Sequence, residues 1–328
     1  MPERGPKPSR IAIGIDFSAS SLAAAQWAAL WMPKDAELVL VHSLVVPQVT
    51  GSLAQRLPLP PSLIANAKAG AERRLKELAA SLGSRRFSVE IREGRPADVI
   101  AQVARDTGAD LIIVGKHGEA GIQRGYTGRT TDHLVRTSPA AVLMASAITD
   151  DVPRRIIVPL TYSSITPYII EWTKRVYDLS QADIFAVHVI GSAVLSHVLT
   201  MSAIKSGKDL SPEEIDVLFG EDRDRWKKEL VKAGIPADKV SAEVVFGEVS
   251  DAIITAVQQH KADMVVMGSH AGPLRRLLLG SATSAVLRQA EVPVLIVIEP
   301  EPTQAGVIES YESEELLTGS LAWQEALS

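Results

Sequence analysis

The 328-residue chain contains no cysteine, which removes disulfide frameworks, thiolate metal sites and a cysteine nucleophile together. It also lacks long apolar runs. Stretches such as LIIV (111–114) and VLIVI (294–298) fall far below the roughly 20 residues of a membrane span, and the opening MPERGPKPSRIAIG holds charges and prolines where a signal peptide would be apolar. A cytoplasmic location and no membrane partner are expected. A strong excess of either charge is missing too. The net charge is -5, and residues 301–328 hold six glutamates with no lysine, arginine or histidine, so the rest of the chain is nearly neutral. Neither half has the basic excess that would point to nucleic acid.

What the chain does have is length and internal repetition. Its length suggests two domains at roughly 100–200 residues each, and 46% apolar with 22% charged residues is the composition of a folding globular protein. EGRPADVIAQVARDTGADLIIVGKHG (93–118) matches FGEVSDAIITAVQQHKADMVVMGSHA (246–271) at an offset of 153, with Gly115 on Gly268 and His117 on His270. Beyond the glycine loops the offset is 152, placing Gly128 on Gly280, so the second loop is one residue shorter. IAIGIDFS (11–18) answers to IIVPLTYS (156–163), and AELVLVHSL (36–44) to ADIFAVHVI (182–190).

Each copy alternates short β-branched runs with longer amphipathic stretches, the pattern of strand–helix units on a parallel sheet. The expectation is an α/β protein of two tandem doubly wound domains, each with a mainly parallel five-stranded sheet and about four helices. The domains are set at 1–150 and 151–300, followed by an acidic tail at 301–328. Right-handed crossovers would put both glycine loops on the rim formed by the strand C-terminal ends.

A glycine-rich turn leading into a helix exposes backbone N–H groups and adds the positive end of the helix dipole, a combination suited to phosphate. The first copy reads Gly115-x-x-Gly118, nine residues, then Gly128, Arg129 and Thr130; the second reads Gly268-x-x-Ala271, eight residues, then Gly280 and Ser281. With the ordered features IGID (13–16), the VH strand ends, EGRPAD (93–98) and ADLIIVG (109–115), the chain resembles the universal stress protein family over nearly all of residues 10–299.

That resemblance implies an adenine nucleotide alpha hydrolase-like fold and, in ATP-binding members, an acidic residue after the first strand that reads adenine. Asp16 stands there in copy one. Thr161 stands there in copy two. The implied site is Asp16 with backbone groups near Val41 and His42 at the base, and Gly115, Gly118, Gly128, Arg129 and Thr130 at the phosphates, with Mg accompanying the nucleotide. A second, weaker site comprises Gly268, Gly280 and Ser281. Arg129 replaces the family's Ser or Thr, and a guanidinium can clamp a phosphate bidentately. The resemblance also implies domain pairing through the last strands, at 141–145 and 293–298: an intramolecular pseudo-dimer, with room for a further homodimer.

The function implied is a stress-response regulator that binds ATP or a related adenine nucleotide, chiefly in domain one. The alternative is a nucleotide-independent protein-binding scaffold of the same family. No catalytic residues are expected, since neither a Gly-x-Ser-x-Gly turn nor a Walker lysine nor the Ser-Gly-Gly loop of adenylating enzymes is present; turnover would at most be slow ATP hydrolysis. His42, His188, His117 and His270 recur by duplication without metal-ligand spacing, so no metal site is assigned. Asp98 and Asp251 are read as complementing helix dipoles. Leu316, Leu317, Leu321, Trp323 and Leu327 interleave with the tail's glutamates, a segment able to dock on the body of the chain or on a protein partner.

Overall fold

The structure, a computed structural model, describes residues 7–46, 61–83, 85–116, 129–145, 152–176, 181–206, 211–269 and 280–299. Gly118, Gly128, His117, His270, Ala271 and the tail 301–328 lie outside the described residues. The chain divides into two compact units, one ending at Asp150 and the other beginning at Asp151.

In unit one the strands are Arg10–Gly14 (β1), Glu37–Leu44 (β2), Arg86–Glu93 (β3), Leu111–Gly115 (β4) and Ala141–Ala145 (β5), and the helices are Ala19–Trp31 (α1), Pro61–Ser81 (α2), Pro96–Thr107 (α3) and Arg129–Thr137 (α4). The strand order is β3-β2-β1-β4-β5, and every pairing is parallel. Ile11 and Ile13 of β1 and Leu111, Ile112 and Ile113 of β4 are wholly buried, as strands covered on both faces require. Local signals set the helix ends. Ser18 caps α1, its side chain accepting from the Ser21 N–H, while α3 starts with Pro96 and stops at Gly108, whose φ of 65° is left-handed.

Unit two repeats the plan with Arg155–Leu160 (β6), Asp183–Ile190 (β7), Val240–Phe246 (β8), Met264–Gly268 (β9) and Val294–Val297 (β10), alternating with Thr166–Val176 (α5), Ser192–Ser206 (α6), Pro212–Lys232 (α7), Val249–Gln259 (α8) and Ser281–Gln289 (α9). Its order is β10-β9-β6-β7-β8, again wholly parallel. Helix α6 has no counterpart among the helices read from the sequence. SAVLSHVLTMSAIKS scatters apolar and small residues around all sides, so no stripe announces it.

Two features fix which end of each sheet is available. At the start of β1, Asp110 Oδ2 accepts from the Ser9 N–H at 2.8 Å and the Arg10 N–H at 3.2 Å; Asp263 does the same for Arg154 and Arg155 at 2.9 and 3.0 Å. The strand starts are thereby tied. At the other end the connections leave β1 toward β2 and later return to β4 on its opposite side. That reversal is the topological switch point where open α/β sheets bind ligands.

Candidate functional site

In unit one the switch point opens between the end of β1 and the end of β4. Asp16 sits two residues past β1, and its Oδ1 accepts from the Ser18 N–H at 3.0 Å and the Ser18 hydroxyl at 2.6 Å. The same hydroxyl accepts from the Ser21 N–H at 3.2 Å, so the Asp16 turn and the α1 cap are one hydrogen-bonded unit. Between them Phe17 is held at φ 65°, an uncommon conformation for a bulky residue. Its ring lies 4.9 Å from that of His42, centroid to centroid. His42 in turn is pinned by its Nδ1–H, which donates to the Ile15 carbonyl at 2.7 Å. Over the Phe17 ring, 3.7 Å from its centroid, stands the guanidinium of Arg74 from α2. Val41 is fully buried, and its carbonyl accepts from the Ile15 N–H at 2.8 Å, so only its backbone borders the rim.

On the other side of the opening, Gly115 ends β4 against the first turn of α1. A Cβ there would stand 2.5 Å from Ser20 Oγ and 2.7 Å from the Ser20 carbonyl carbon. This glycine is needed for packing before any ligand is considered. Helix α4 starts at Arg129, with Thr130 half-buried and Thr131 buried in its first turn. The structure therefore brings Asp16, Val41, His42 and Gly115 to one rim.

Unit two places Thr161 where Asp16 stands, and its carbonyl accepts from the Ser163 N–H at 2.9 Å and the Thr166 hydroxyl at 2.5 Å. Tyr162 follows, at the place of Phe17. Its hydroxyl donates to Asp222 Oδ1, and its ring is 4.8 Å from Trp226 and 5.3 Å from His188. His188 Nδ1–H donates to the Leu160 carbonyl at 2.9 Å, as His42 does to Ile15. Burial, and then the bond to Asp222, push the Tyr162 hydroxyl well above its ordinary pKa. The second rim is thus packed with aromatic side chains and a buried carboxylate.

The end of β9 is bonded to the start of α9. The Gly280 N–H donates to the Ser269 carbonyl at 3.4 Å, and the Thr283 hydroxyl lies 3.2 Å from the Gly268 carbonyl and 3.3 Å from that of Ser269. Ser281, the first residue of α9, is exposed. Among the described residues no group of three or more His, Asp or Glu is placed to hold a metal ion, and no helix is long and apolar enough to cross a membrane.

The sequence did not single out Phe17, Arg74, Asp222 or Trp226. Repetition was the available signal. α2 and α7 each have 21 residues and begin with proline, and Arg74 and Arg225 occupy the same position along them. Arg225 also lies over an aromatic ring, 5.2 Å from the Tyr162 centroid.

The family model described as "Universal stress protein family" matches residues 8–146 and again 153–297. The chain belongs to the universal stress protein family. A universal stress protein of Mycobacterium tuberculosis is 25% identical over 312 residues, covering 87% of this chain and 96% of the relative. One from a Synechocystis strain is 27% identical over 188 residues, 57% of either chain. Among solved structures, a universal stress protein from Archaeoglobus fulgidus superposes with a TM-score of 0.65 at 17% identity, covering 90% of this chain and 98% of the other. That likeness concerns the fold.

Proposed function

We propose that unit one binds ATP or a related adenine nucleotide and that the chain acts through it as a cytoplasmic stress-response regulator. The observation that carries this reading is the contrast between the two rims. Asp16 offers a carboxylate at the switch point of unit one, whereas unit two has a threonine there and packs its rim with Tyr162, Trp226 and Asp222. In this reading Asp16 accepts from the exocyclic amine of the base, and backbone at Val41 and His42 flanks it. Gly115, Gly118, Gly128, Arg129 and Thr130 meet the phosphates. Mg would arrive with those phosphates, which commonly supply much of its coordination. With no positioned base assigned, hydrolysis would be slow at most.

Titration calorimetry on Asp16→Asn tests it. The amide oxygen can still accept from Ser18, which turns the NH₂ group toward the base amine and sets donor against donor. ATP affinity should fall at least about tenfold, 1.4 kcal/mol, while Thr161→Ala leaves it unchanged. No ATP binding by the native chain, or equal losses in both variants, would overturn the reading. The nucleotide-independent scaffold then takes its place, favoured by Val194, Ile204 and Val217, which are 56%, 70% and 76% exposed on α6 and α7.

A further inference from the structure

We propose that Arg74 is a further ligand-binding residue of unit one: its guanidinium, docked on Phe17, is the platform on which the base of the bound nucleotide stacks. This rests on the nucleotide reading above and adds to it a group that supplies stacking where Asp16 supplies hydrogen-bond recognition.

The starting observation is a relay of four groups at the end of β1 and β2. The Ile15 carbonyl holds the His42 ring at 2.7 Å, His42 stands against Phe17 at 4.9 Å, and Phe17 carries Arg74 at 3.7 Å. Arg74 is exposed. Among the described residues the ring contact is its one interaction, with no hydrogen bond or ion pair. A stack on phenylalanine covers one face of a planar cation and leaves the opposite face and the N–H edge for another group.

Phe17 directly follows Asp16, so the platform adjoins the carboxylate assigned to the base. The left-handed backbone at Phe17 is unfavourable for its side chain, and strained backbone of this kind clusters at ligand sites. Here it aims the ring at the rim. Guanidinium planes stack on nucleobases as well as on aromatic side chains.

Unit two supplies the internal comparison. Leu160, His188, Tyr162 and Arg225 repeat the relay, yet Tyr162 is not in the left-handed region, and its arginine stands further off, at 5.2 Å. Trp226, next to Arg225 on α7, packs on the Tyr162 ring at 4.8 Å; the corresponding residue of α2 is Leu75, buried in the core. In the second copy the ring after the switch point is thus engaged by a buried indole and by Asp222, and its arginine is not seated on it as closely as Arg74 is on Phe17.

Stacking asks for a planar π system and not for phosphate, which separates this role from an anion clamp. Displacement titrations should use adenosine, ATP and inorganic tripolyphosphate as probes. Arg74→Ala is expected to weaken adenosine and ATP by a similar factor, about fivefold or more, and to leave tripolyphosphate unchanged. Arg74→Lys keeps the charge without the plane and should not restore binding. If either substitution lowers the melting temperature, Arg74→Met, which retains an apolar stem, carries the test with the same expectation. A loss for tripolyphosphate with adenosine unaffected would make Arg74 a phosphate clamp and overturn the proposal, as would native affinity for all three probes in the alanine variant. If the native chain binds neither adenosine nor ATP, both this proposal and the nucleotide reading fail; if it binds them and Arg74→Ala changes nothing, only the proposal fails.

Discussion

The residue that follows the switch-point position determines what each rim becomes. Phenylalanine at 17 has no polar group to satisfy, so its ring can serve as a surface for Arg74. Tyrosine at 162 brings a hydroxyl that must be paired when buried, and Asp222 on α7 pairs it. The other oxygen of Asp222 and the Nε1 of Trp226 are buried and have no hydrogen-bond partner among the described residues. Removing the hydroxyl would leave Asp222 with neither oxygen paired. Tyr162→Phe should therefore cost about 1–3 kcal/mol at neutral pH, measured by urea unfolding. The same bond sets a pH dependence. Because burial and Asp222 raise the folded-state pKa of the hydroxyl, the folded chain holds this proton more tightly than the unfolded chain. The associated stability is fully present below the ordinary tyrosine value of about 10 and is lost as pH rises above it. Stability should decline more steeply above that pH in the native chain than in Tyr162→Phe; parallel declines would show that the hydroxyl is not coupled to folding.

Among the elements, the central strands were legible because burial on both faces gives unbroken runs such as LIIV in β4. The edge strands β3 and β8 were not placed, since RFSVEIRE and VSAEVVF mix charged and apolar residues and only part of each is covered. Glycine pattern and strand order located the rim, but pattern alone could not say what each glycine is for. Gly115 shows why. It meets the backbone of Ser20 within 2.8 Å of where a Cβ would be, a contact between α1 and β4 that no spacing rule contains. Likewise Arg74 and Phe17 lie far apart in sequence and meet only through the left-handed turn at Phe17. Gly115→Ala should lower stability by about 1–3 kcal/mol through this overpacking, read as a shift in the thermal midpoint without ligand. An unchanged midpoint would mean that α1 can retreat, and the glycine would then have to be explained by the ligand. A drop in nucleotide affinity in this variant would not by itself report a phosphate contact, because α1 also carries the turn that holds Asp16.

On the scale of the whole chain, duplication provides two copies of one frame with different uses for the rim. Both retain the aspartate that ties the strand start, Asp110 and Asp263, and both retain the histidine that binds the first-strand carbonyl, His42 and His188. These contacts hold the sheet. The groups that differ are Asp16 against Thr161 at the switch point and, in the core behind it, Leu75 against Trp226. A universal stress protein with one open rim and one packed rim should answer a nucleotide in only one unit. Hydrogen exchange followed by mass spectrometry under saturating ATP can read this in the full chain. A ligand at a hundred times its Kd stabilises the state that binds it by about 2.7 kcal/mol, so amides of unit one that exchange through opening of the site should slow by up to about a hundredfold. The largest changes are expected from Ile15 through Ser21, where the Asp16 turn and the α1 cap share their hydrogen bonds. Peptides across β6, α7 and β9 should be unaffected, since the aromatic cluster already occupies that rim with or without ATP. Equal protection in both units would mean that Thr161 and the packed rim do not prevent binding, and protection confined to unit two would reverse the assignment of the working site.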